Sequence, residues 1–382
     1  MSVKRISFIS VLLAGALLCS CLKEGTGSVQ PAGADAADSS SADSLVRVKV
    51  LLVDDSDGQP MTRIGGELYP LQEKAKAMIE YVVFKNDGTV FAHDCATSDQ
   101  VDGWTSFLTF YMRRSTTYRI QLFINGSEED GHVYLDGFTP TNVSGHSSFY
   151  VTSFDLYECH SNRLPMFGDL TFTTSADASQ EVVISVQRLV SRVRVGTVTN
   201  SMTAGQMAGR TFTLKKIYLT NIPLNGIVAG DSQLMTSNKN WQYTVYNAMG
   251  LHSASTGTIE EYDELTLQDG INAVLAAGAS HGSGYYFYTI PNVCTAAADT
   301  HASTWAVRCT RLVLECTLGS ITYYYPITIP AMSRNVSYNY NTITIKGVGA
   351  LSPEEENPGA LEYTFSTSTD SWETPININE TI

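Results

Sequence analysis

The sequence is poor in positive charge. Its 382 residues include 24 Lys and Arg against 38 Asp and Glu, which gives a formal net charge of −14 at pH 7. A protein that binds nucleic acid neutralises phosphates with Lys and Arg, and an anionic membrane surface attracts the same residues. The charge therefore argues against nucleic acid or an anionic membrane as a partner of the folded protein.

Motifs of catalysis and metal binding are also scarce. The sequence has no Walker loop, no dinucleotide fingerprint and no Cys-x-x-Cys pair, and its seven His are scattered. Gly278 to Gly282 matches Gly-x-Ser-x-Gly, but a nucleophile elbow needs a helix after it, and Gly284 to Tyr288 is strand-like instead. We therefore expect no enzyme, no metal site and no cofactor.

Cysteines are too few and too irregular for a disulfide framework. Apart from Cys19 and Cys21, five of the seven remain, at positions 95, 159, 294, 309 and 316. An odd number leaves at least one thiol outside intramolecular pairs, although one or two bridges, for instance among the last three, stay open. Most of these cysteines fit small buried hydrophobic side chains better.

Only one long apolar run is present, from Ile6 to Leu18, and it is shorter than the roughly 20 residues of a membrane-spanning helix. Lys4 and Arg5 precede it and Leu18-Cys19-Ser20-Cys21 ends it, which is typical of a bacterial lipoprotein signal. We predict that residues 1–20 are the signal peptide and that Cys21 carries a diacylglycerol and a further acyl chain such as palmitate. An ordinary secretory peptide with an incidental Cys is the alternative.

A flexible tether follows the lipidation site. The segment from Gly25 to Ser44 contains mainly Gly, Ala, Ser and Asp and no aromatic residue, so it cannot bury enough apolar surface to become ordered. We therefore predict a tether over residues 21–44 between the membrane and a folded body.

The remaining chain is typical of an all-β protein. The full sequence contains 20 Tyr, and its charged fraction is only 16% against 43% hydrophobic residues. Roughly 340 residues are enough for two domains. We predict two β-sandwich domains, 45–188 and 189–382, with the crossing between Gln187 and Val198.

Runs in which apolar and polar residues alternate, and runs rich in β-branched residues, predict the strands. The first has Val46, Val48, Val50 and Leu52 on one face. A hairpin turns at Asn86-Asp87-Gly88, and we expect one helix from Pro70 to Ile79 and an irregular insertion from Gly226 to Gly270. The other predicted strands are 118–124, 133–135, 149–156, 182–186, 189–198, 211–219, 285–290, 311–318, 321–329 and 338–345.

Two features favour assembly over catalysis. Arg63 lies in the small, flexible segment Pro60 to Gly66 after the first strand, where a protease could cut. Near the C-terminus, Leu361, Tyr363 and Phe365 alternate in a strand that precedes Trp372. The acidic, Pro-bounded segment before this strand predicts a hinge from which it detaches easily.

In their order along the chain, these features resemble the Bacteroidales fimbrillin family, the major stalk subunits of the type V pilus. The resemblance covers nearly the whole chain and rests on several motifs together. In chain order they are the lipobox and tether, a strand ending at an Arg, the hairpin from Ile79 to Phe91, a Leu-Pro-Met-x-Gly turn (Leu164 to Gly168), a Gln-Arg-Leu-Val-x-Arg-Val-x-Val strand (Gln187 to Val195), Arg334-Asn335, an Ile-x-Ile-x-Gly-x-Gly-x-x-x-Pro-Glu segment and the terminal strand.

The resemblance implies two transthyretin-like sandwiches and a mechanism of assembly. An outer-membrane lipoprotein precursor is cut after Arg63 by an Arg-specific protease, so the mature chain begins at Ile64. Residues 45–63 leave with the lipid, and the terminal strand of another copy, within residues 360–382, fills the vacated groove. A head-to-tail contact of this kind does not close, so it gives an extracellular filament that also takes up anchor and tip subunits.

Two other functions stay open at this point. A fimbrial anchor would keep its first strand, and a tip subunit would lack the donor strand. A surface lipoprotein that binds glycan or protein belongs to a different class. The presence of both Arg63 and the terminal strand in this sequence favours a stalk subunit with a role in adhesion.

Overall fold

A computed structural model describes most of the chain after the tether, and it is dominated by β-strands. The described residues are 45–54, 78–97, 107–125, 153–155, 164–223, 225–227, 244–246, 263–292, 309–329, 331–353, 355–368 and 376–378. In this part, the helical elements are α1 (Ala204–Met207), α2 (Asp263–Thr266) and a 3₁₀ turn at Pro358–Ala360.

Twenty strands are described. The first eight are β1 (Leu45–Asp54), β2 (Met78–Lys85), β3 (Val90–Thr97), β4 (Phe107–Arg113), β5 (Thr117–Ile124), β6 (Ser153–Asp155), β7 (Met166–Thr173) and β8 (Ser179–Arg188). The next six are β9 (Ser191–Asn200), β10 (Phe212–Pro223), β11 (Asn225–Ile227), β12 (Thr244–Tyr246), β13 (Leu267–Gln268) and β14 (Ala273–Val274). The last six are β15 (Ser280–Thr289), β16 (Arg311–Leu318), β17 (Ile321–Thr328), β18 (Ser337–Ile345), β19 (Leu361–Ser368) and β20 (Ile376–Ile378).

Seven strands of the N-terminal half form one sheet in the order β3-β2-β5-β7-β8-β1-β4. Neighbours are antiparallel except β1 and β8, which are parallel. Side chains from β1, β4 and β8 share one buried cluster with those of β2 and β5, so the sheet curls into a sandwich around this first core.

The C-terminal half contains two main sheets. One has the order β12-β10-β16-β17, and the other β15-β9-β18-β19-β20. They enclose a second, larger buried cluster. A separate pair, β6 with β11, joins a strand of the first half to one of the second.

The two halves repeat one topology. In the first half, β1 lies between β4 (antiparallel) and β8 (parallel), and in the second half β9 lies in the same way between β15 and β18. The order β3-β2-β5-β7 likewise corresponds to β12-β10-β16-β17. The repeat is complete at β18, so β19 and β20 are additions without a counterpart among the described strands of the first half.

The halves pack against each other through β2 and β5. Ile79, Tyr81 and Val83 on β2 enter the first core, whereas Val82 and Phe84 on the opposite face belong to the second cluster. β2 is therefore buried on both faces, which explains its continuous apolar run. The change from one set of strands to the other falls at Leu189 and Val190, between β8 and β9.

Most predicted strands are confirmed, including the hairpin of β2 and β3, in which Gly88 has a positive φ of 81°. Three predictions are wrong. The helix cannot reach Ile79, because β2 begins at Met78 and its side chains alternate between two cores. The turn from Leu164 to Gly168 is mostly strand, since β7 begins at Met166.

The third error concerns the insertion from Gly226 to Gly270. It is not wholly irregular, because short strands within it and α2 pair with or contact the second sandwich. The predicted strand at 133–135, most of 149–156 and the helix residues 70–77 lie outside the described residues.

Candidate functional site

The first strand is enclosed within its sheet. Residues Leu45–Leu51 of β1 pair with β4, and Arg47–Asp54 pair with β8. Val48, for example, lies opposite Phe110 on one side and Gln180 on the other. Removing β1 would leave two unpaired strand edges facing each other across a gap one strand wide.

The inward face of β1 is completely buried. Val46, Val48, Val50 and Leu52 each have 0% exposure. They pack in the first core with large side chains from three other strands, namely Tyr81, Leu108, Phe110, Met112, Ile120 and Leu122. The outward face is mixed: Lys49 Nζ lies 3.3 Å from Glu181 Oε2 on β8, and Leu51 is 8% exposed. The gap left by β1 would therefore be a groove with an apolar floor.

The predicted processing residues lie outside the described part of the chain. Cys21 precedes β1, and Arg63 and Ile64 follow it, so neither lipidation nor cleavage has a structural test here. Among the described residues, no helix has both the length and the apolar character needed to span a bilayer.

The terminal strand lies near a sheet edge. All eight residues of β19 are paired with β18, from Leu361 opposite Ile345 to Ser368 opposite Ser337, and the one bulge lies at Asn341 of β18. On its other side the described partner is β20, with three pairs such as Phe365 opposite Ile378. Trp372, predicted to end the donor strand, falls outside the described residues.

The inward face of β19 is only partly buried and is aromatic. Leu361, Tyr363 and Phe365 pack at the margin of the second core. The Phe365 ring centroid is 5.0 Å from that of Tyr340, and the Tyr363 ring is 5.4 Å from the same residue. Tyr340 is 1% exposed, and this burial raises the pKa of its phenol well above the ordinary value, so the side chain stays neutral. Loss of β19 would bring Tyr340 to the surface.

The segment before β19 is fastened to the sandwich at several described residues, which differs from the predicted loose hinge. The N–H groups of Lys346 and Gly347 both donate to Ala360 O, at 2.8 and 3.2 Å. Thr328 Oγ1 donates to Glu356 Oε1, and Asn357 Nδ2 donates to Val348 O at 2.9 Å. Release of β19 therefore also requires opening these contacts.

The Gly-x-Ser-x-Gly segment does not form an elbow. Ser280 is the first residue of β15, an antiparallel strand, and its hydroxyl is 2.8 Å from that of Thr199. His281 Nε2 lies 2.8 Å from Tyr285 Oη on the same strand. These contacts stabilise a bulged edge strand and do not join a nucleophile to a base.

Two of the five cysteines have described side chains. Cys309 and Cys316 are buried, and neither is in a disulfide. Burial raises the pKa of the Cys316 thiol, which makes it a poor nucleophile. Within the described ranges, no group of His, Cys, Asp and Glu side chains could hold a metal ion.

Sequence reasoning missed the strands that flank the groove. It did not assign β4, and it did not place β8 beside β1. Leu108, Phe110 and Met112 alternate on β4 and are buried, so the periodicity of two was present. The partnership with β8 joins residues more than 130 positions apart, and no local pattern carries it.

Comparison with solved structures identifies proteins of the same fold. The chain is similar to a candidate cell adhesion protein of Bacteroides eggerthii DSM 20697, with a TM-score of 0.58, 16% identity, and coverage of 86% of this chain and 96% of that one. A candidate cell adhesion protein of Parabacteroides distasonis ATCC 8503 is similar as well, with a TM-score of 0.53, 13% identity, and coverage of 84% of this chain and 96% of that one.

A fimbrilin (fimA) of Porphyromonas gingivalis W83 is also similar, with a TM-score of 0.51, 15% identity, and coverage of 88% of this chain and 99% of that one. No family model matches the sequence, and no curated protein is similar to it. At these identities the likeness shows the shared all-β fold, over nearly the full length of each solved protein.

Proposed function

We propose that this protein is a structural subunit of a cell-surface fimbrium, activated by removal of β1 and polymerised by donor-strand exchange. The observation that carries the proposal is the position of β1. It lies between two strands and supplies four fully buried side chains to the first core. The names of the similar solved proteins, which refer to a fimbrilin and to cell adhesion, support the same role.

The energetics of β1 favour replacement over simple loss. Burying a Val or Leu side chain contributes about 1.5–3 kcal/mol, so the four inward residues account for about 6–12 kcal/mol. That is comparable with the whole stability of a domain, about 5–15 kcal/mol. A trimmed subunit is therefore unstable until another apolar strand fills the groove by pairing with β4 and β8.

The C-terminal strands supply a donor in this proposal. They lie beyond a sandwich whose strand topology is complete at β18, so the fold of the second half does not need them for its repeat. Leu361, Tyr363 and Phe365 alternate, as do the inward residues of β1. The donor of one copy enters the acceptor of the next, which makes a head-to-tail filament.

Export and processing complete the proposal. The precursor reaches the outer membrane through lipid on Cys21, and an Arg-specific protease cuts between Arg63 and Ile64. The lipid then leaves with β1, and the mature chain is held in the extracellular fimbrium by its neighbours. Anchor and tip subunits with the same groove or donor join at the ends of the filament.

Treatment of purified precursor with an Arg-specific protease tests the proposal. We expect loss of the segment ending at Arg63, followed by SDS-resistant ladders on gels. The matched control is Arg63→Ala, which should keep β1 and stay monomeric under the same treatment. A trimmed wild-type protein that remains monomeric at high concentration would contradict polymerisation by exchange.

A truncation separates donor from acceptor. A precursor lacking residues 361–382 should still be cut and should accept a donor, but it should not donate. Added to wild-type subunits, it should shorten the ladders in proportion to its fraction. Ladders of normal length would place the donor elsewhere in the chain.

A further inference from the structure

A short segment after β18 lies along the free edge of the second sandwich. Residues 347–353, which we call the strap, run from Gly347 to Pro353 beside β17. Ala350 N donates to Tyr324 O, and Tyr324 N donates to Ala350 O, both at 2.9 Å. The strap therefore adds one antiparallel bridge to a strand that is otherwise the last described strand in its sheet.

Side-chain and backbone contacts hold the strap at its base. Tyr325 Oη donates to Gly347 O at 3.0 Å, and Gly347 N donates to Ala360 O. Because Tyr325 faces the core, the strap is linked to the interior of the sandwich as well as to its edge. Pro353, at its far end, is buried.

Gly349 makes this close approach possible. A Cβ at this position would lie 2.5 Å from Tyr324 O and 2.9 Å from Tyr325 Cζ. The first of these is a backbone atom within a paired strand, so it cannot move without breaking the sheet. Gly359, only ten residues further on, would place a Cβ no closer than 3.9 Å to any neighbour, so it tolerates a side chain.

The first half of the molecule closes the equivalent edge in another way. β7, the counterpart of β17, pairs with β8 over Met166–Gly168, so this strand has a neighbour on both sides within one sheet. No ladder joins β17 to β18 in the described sheets. The repeat thus leaves one edge open in the second half, and the strap lies on that edge.

An uncovered β17 would be a suitable partner for another chain. It has eight residues, Ile321 is 44% exposed at its start, and the N–H and C=O of Tyr324 both point to this edge. Pro326, two residues on, has no N–H, so pairing would centre on the first half of the strand. Exposed edges with apolar residues pair readily with extended strands.

We propose that the strap is an edge cover that prevents β17 from accepting an extended strand of a second copy of this chain, and that Gly349 is the residue that permits it. The inference concerns the precursor with β1 in place, so it does not depend on exchange at the β1 groove.

The test compares Gly349→Ala with Gly359→Ala in the full-length, uncut precursor. For Gly349→Ala we expect amide exchange at Tyr324 to be at least 10-fold faster, with unchanged protection in β1. We also expect dimers whose fraction rises with concentration in sedimentation. Gly359→Ala should match wild type in both measurements.

Two results would overturn the proposal. One is wild-type exchange at Tyr324 in Gly349→Ala, because the strap would then not need the glycine. The other is fast exchange at Tyr324 in a protein that stays monomeric at every concentration, because the edge would then not need a cover.

A second substitution identifies the surface through which the copies associate. Adding Ile321→Lys to Gly349→Ala places a charge on the edge of β17, which should abolish the dimers. Dimers that persist would show pairing elsewhere and would exclude β17. If Gly349→Ala does not fold, Ala350→Pro can replace it, because it removes the N–H that binds Tyr324 O. Amide exchange at Tyr324 and the dimer fraction in sedimentation are then measured in the same way.

Discussion

The first strand and the terminal strand have the same alternating pattern but very different environments. The inward side chains of β1 have 0% exposure, and strands flank it on both sides. β19 has one long ladder, one short ladder of three pairs, and inward side chains that are only partly buried. Both strands are second from the end of their sheets, but the same pattern produces a strand with two long ladders in one sandwich and a strand with one long and one short ladder in the other.

This difference would give the proposed strand exchange a direction. A donor that leaves its own domain gives up partial burial of three side chains, which is worth about 2–5 kcal/mol. In the groove the same three side chains would be completely buried, which is worth about 4.5–9 kcal/mol by the same coefficient. The proposed exchange would therefore be favourable, because the donor side chains would be more deeply buried in the groove than in their own domain.

The largest effect is expected inside β1. Val48→Asp puts a carboxylate into the first core without a partner, and should lower the free energy of unfolding of the precursor by about 4 kcal/mol or more. Urea denaturation followed by circular dichroism measures it. The matched control, Arg47→Asp on the exposed face, should change stability by no more than about 0.5 kcal/mol. Equal effects at the two positions would mean that the inward face of β1 is not buried.

The sequence predicts this part of the fold well because β1 is amphipathic. The alternation of Val46, Val48, Val50 and Leu52 specifies which face is buried, and the structure places all four in the core. The same reasoning finds β19, because Tyr363 and Phe365 also alternate. The sequence pattern cannot predict which of β1 and β19 is more deeply buried, because burial depends on which strands lie beside each of them.

Two wrong predictions, the end of the helix and the loose hinge, also arise because tertiary contacts override local sequence preference. Met78 and Ile79 fit the end of a helix by local propensity, but tertiary packing on both faces of β2 makes them a strand. The acidic segment before β19 has the composition of a hinge. Its hydrogen bonds to β17 and within the segment come from residues that only the fold brings together.

A smaller effect is expected in β19. Phe365→Ala removes ring contacts with Tyr338 and Tyr340, at centroid distances of 6.2 and 5.0 Å, and should cost about 2 kcal/mol. Phe365→Leu, which keeps most of the apolar contact, should cost less than half as much. Thermal unfolding of the three proteins measures the order. A loss as large as that from Val48→Asp would make β19 as deeply buried as β1 and would remove the energetic reason for exchange.

The smallest effects are expected from two exposed ion pairs, one on each strand. Lys49 pairs with Glu181 on β8, and Lys346 pairs with Glu362 on β19, with side chains between about a third and just over a half exposed. Water and salt screen such pairs, so double-mutant cycles with Ala should give coupling energies of about 0–1 kcal/mol for both. Both couplings should fall further when the salt concentration is raised. A coupling on β1 well above that on β19 would show that charge, and not only apolar burial, holds the first strand in place.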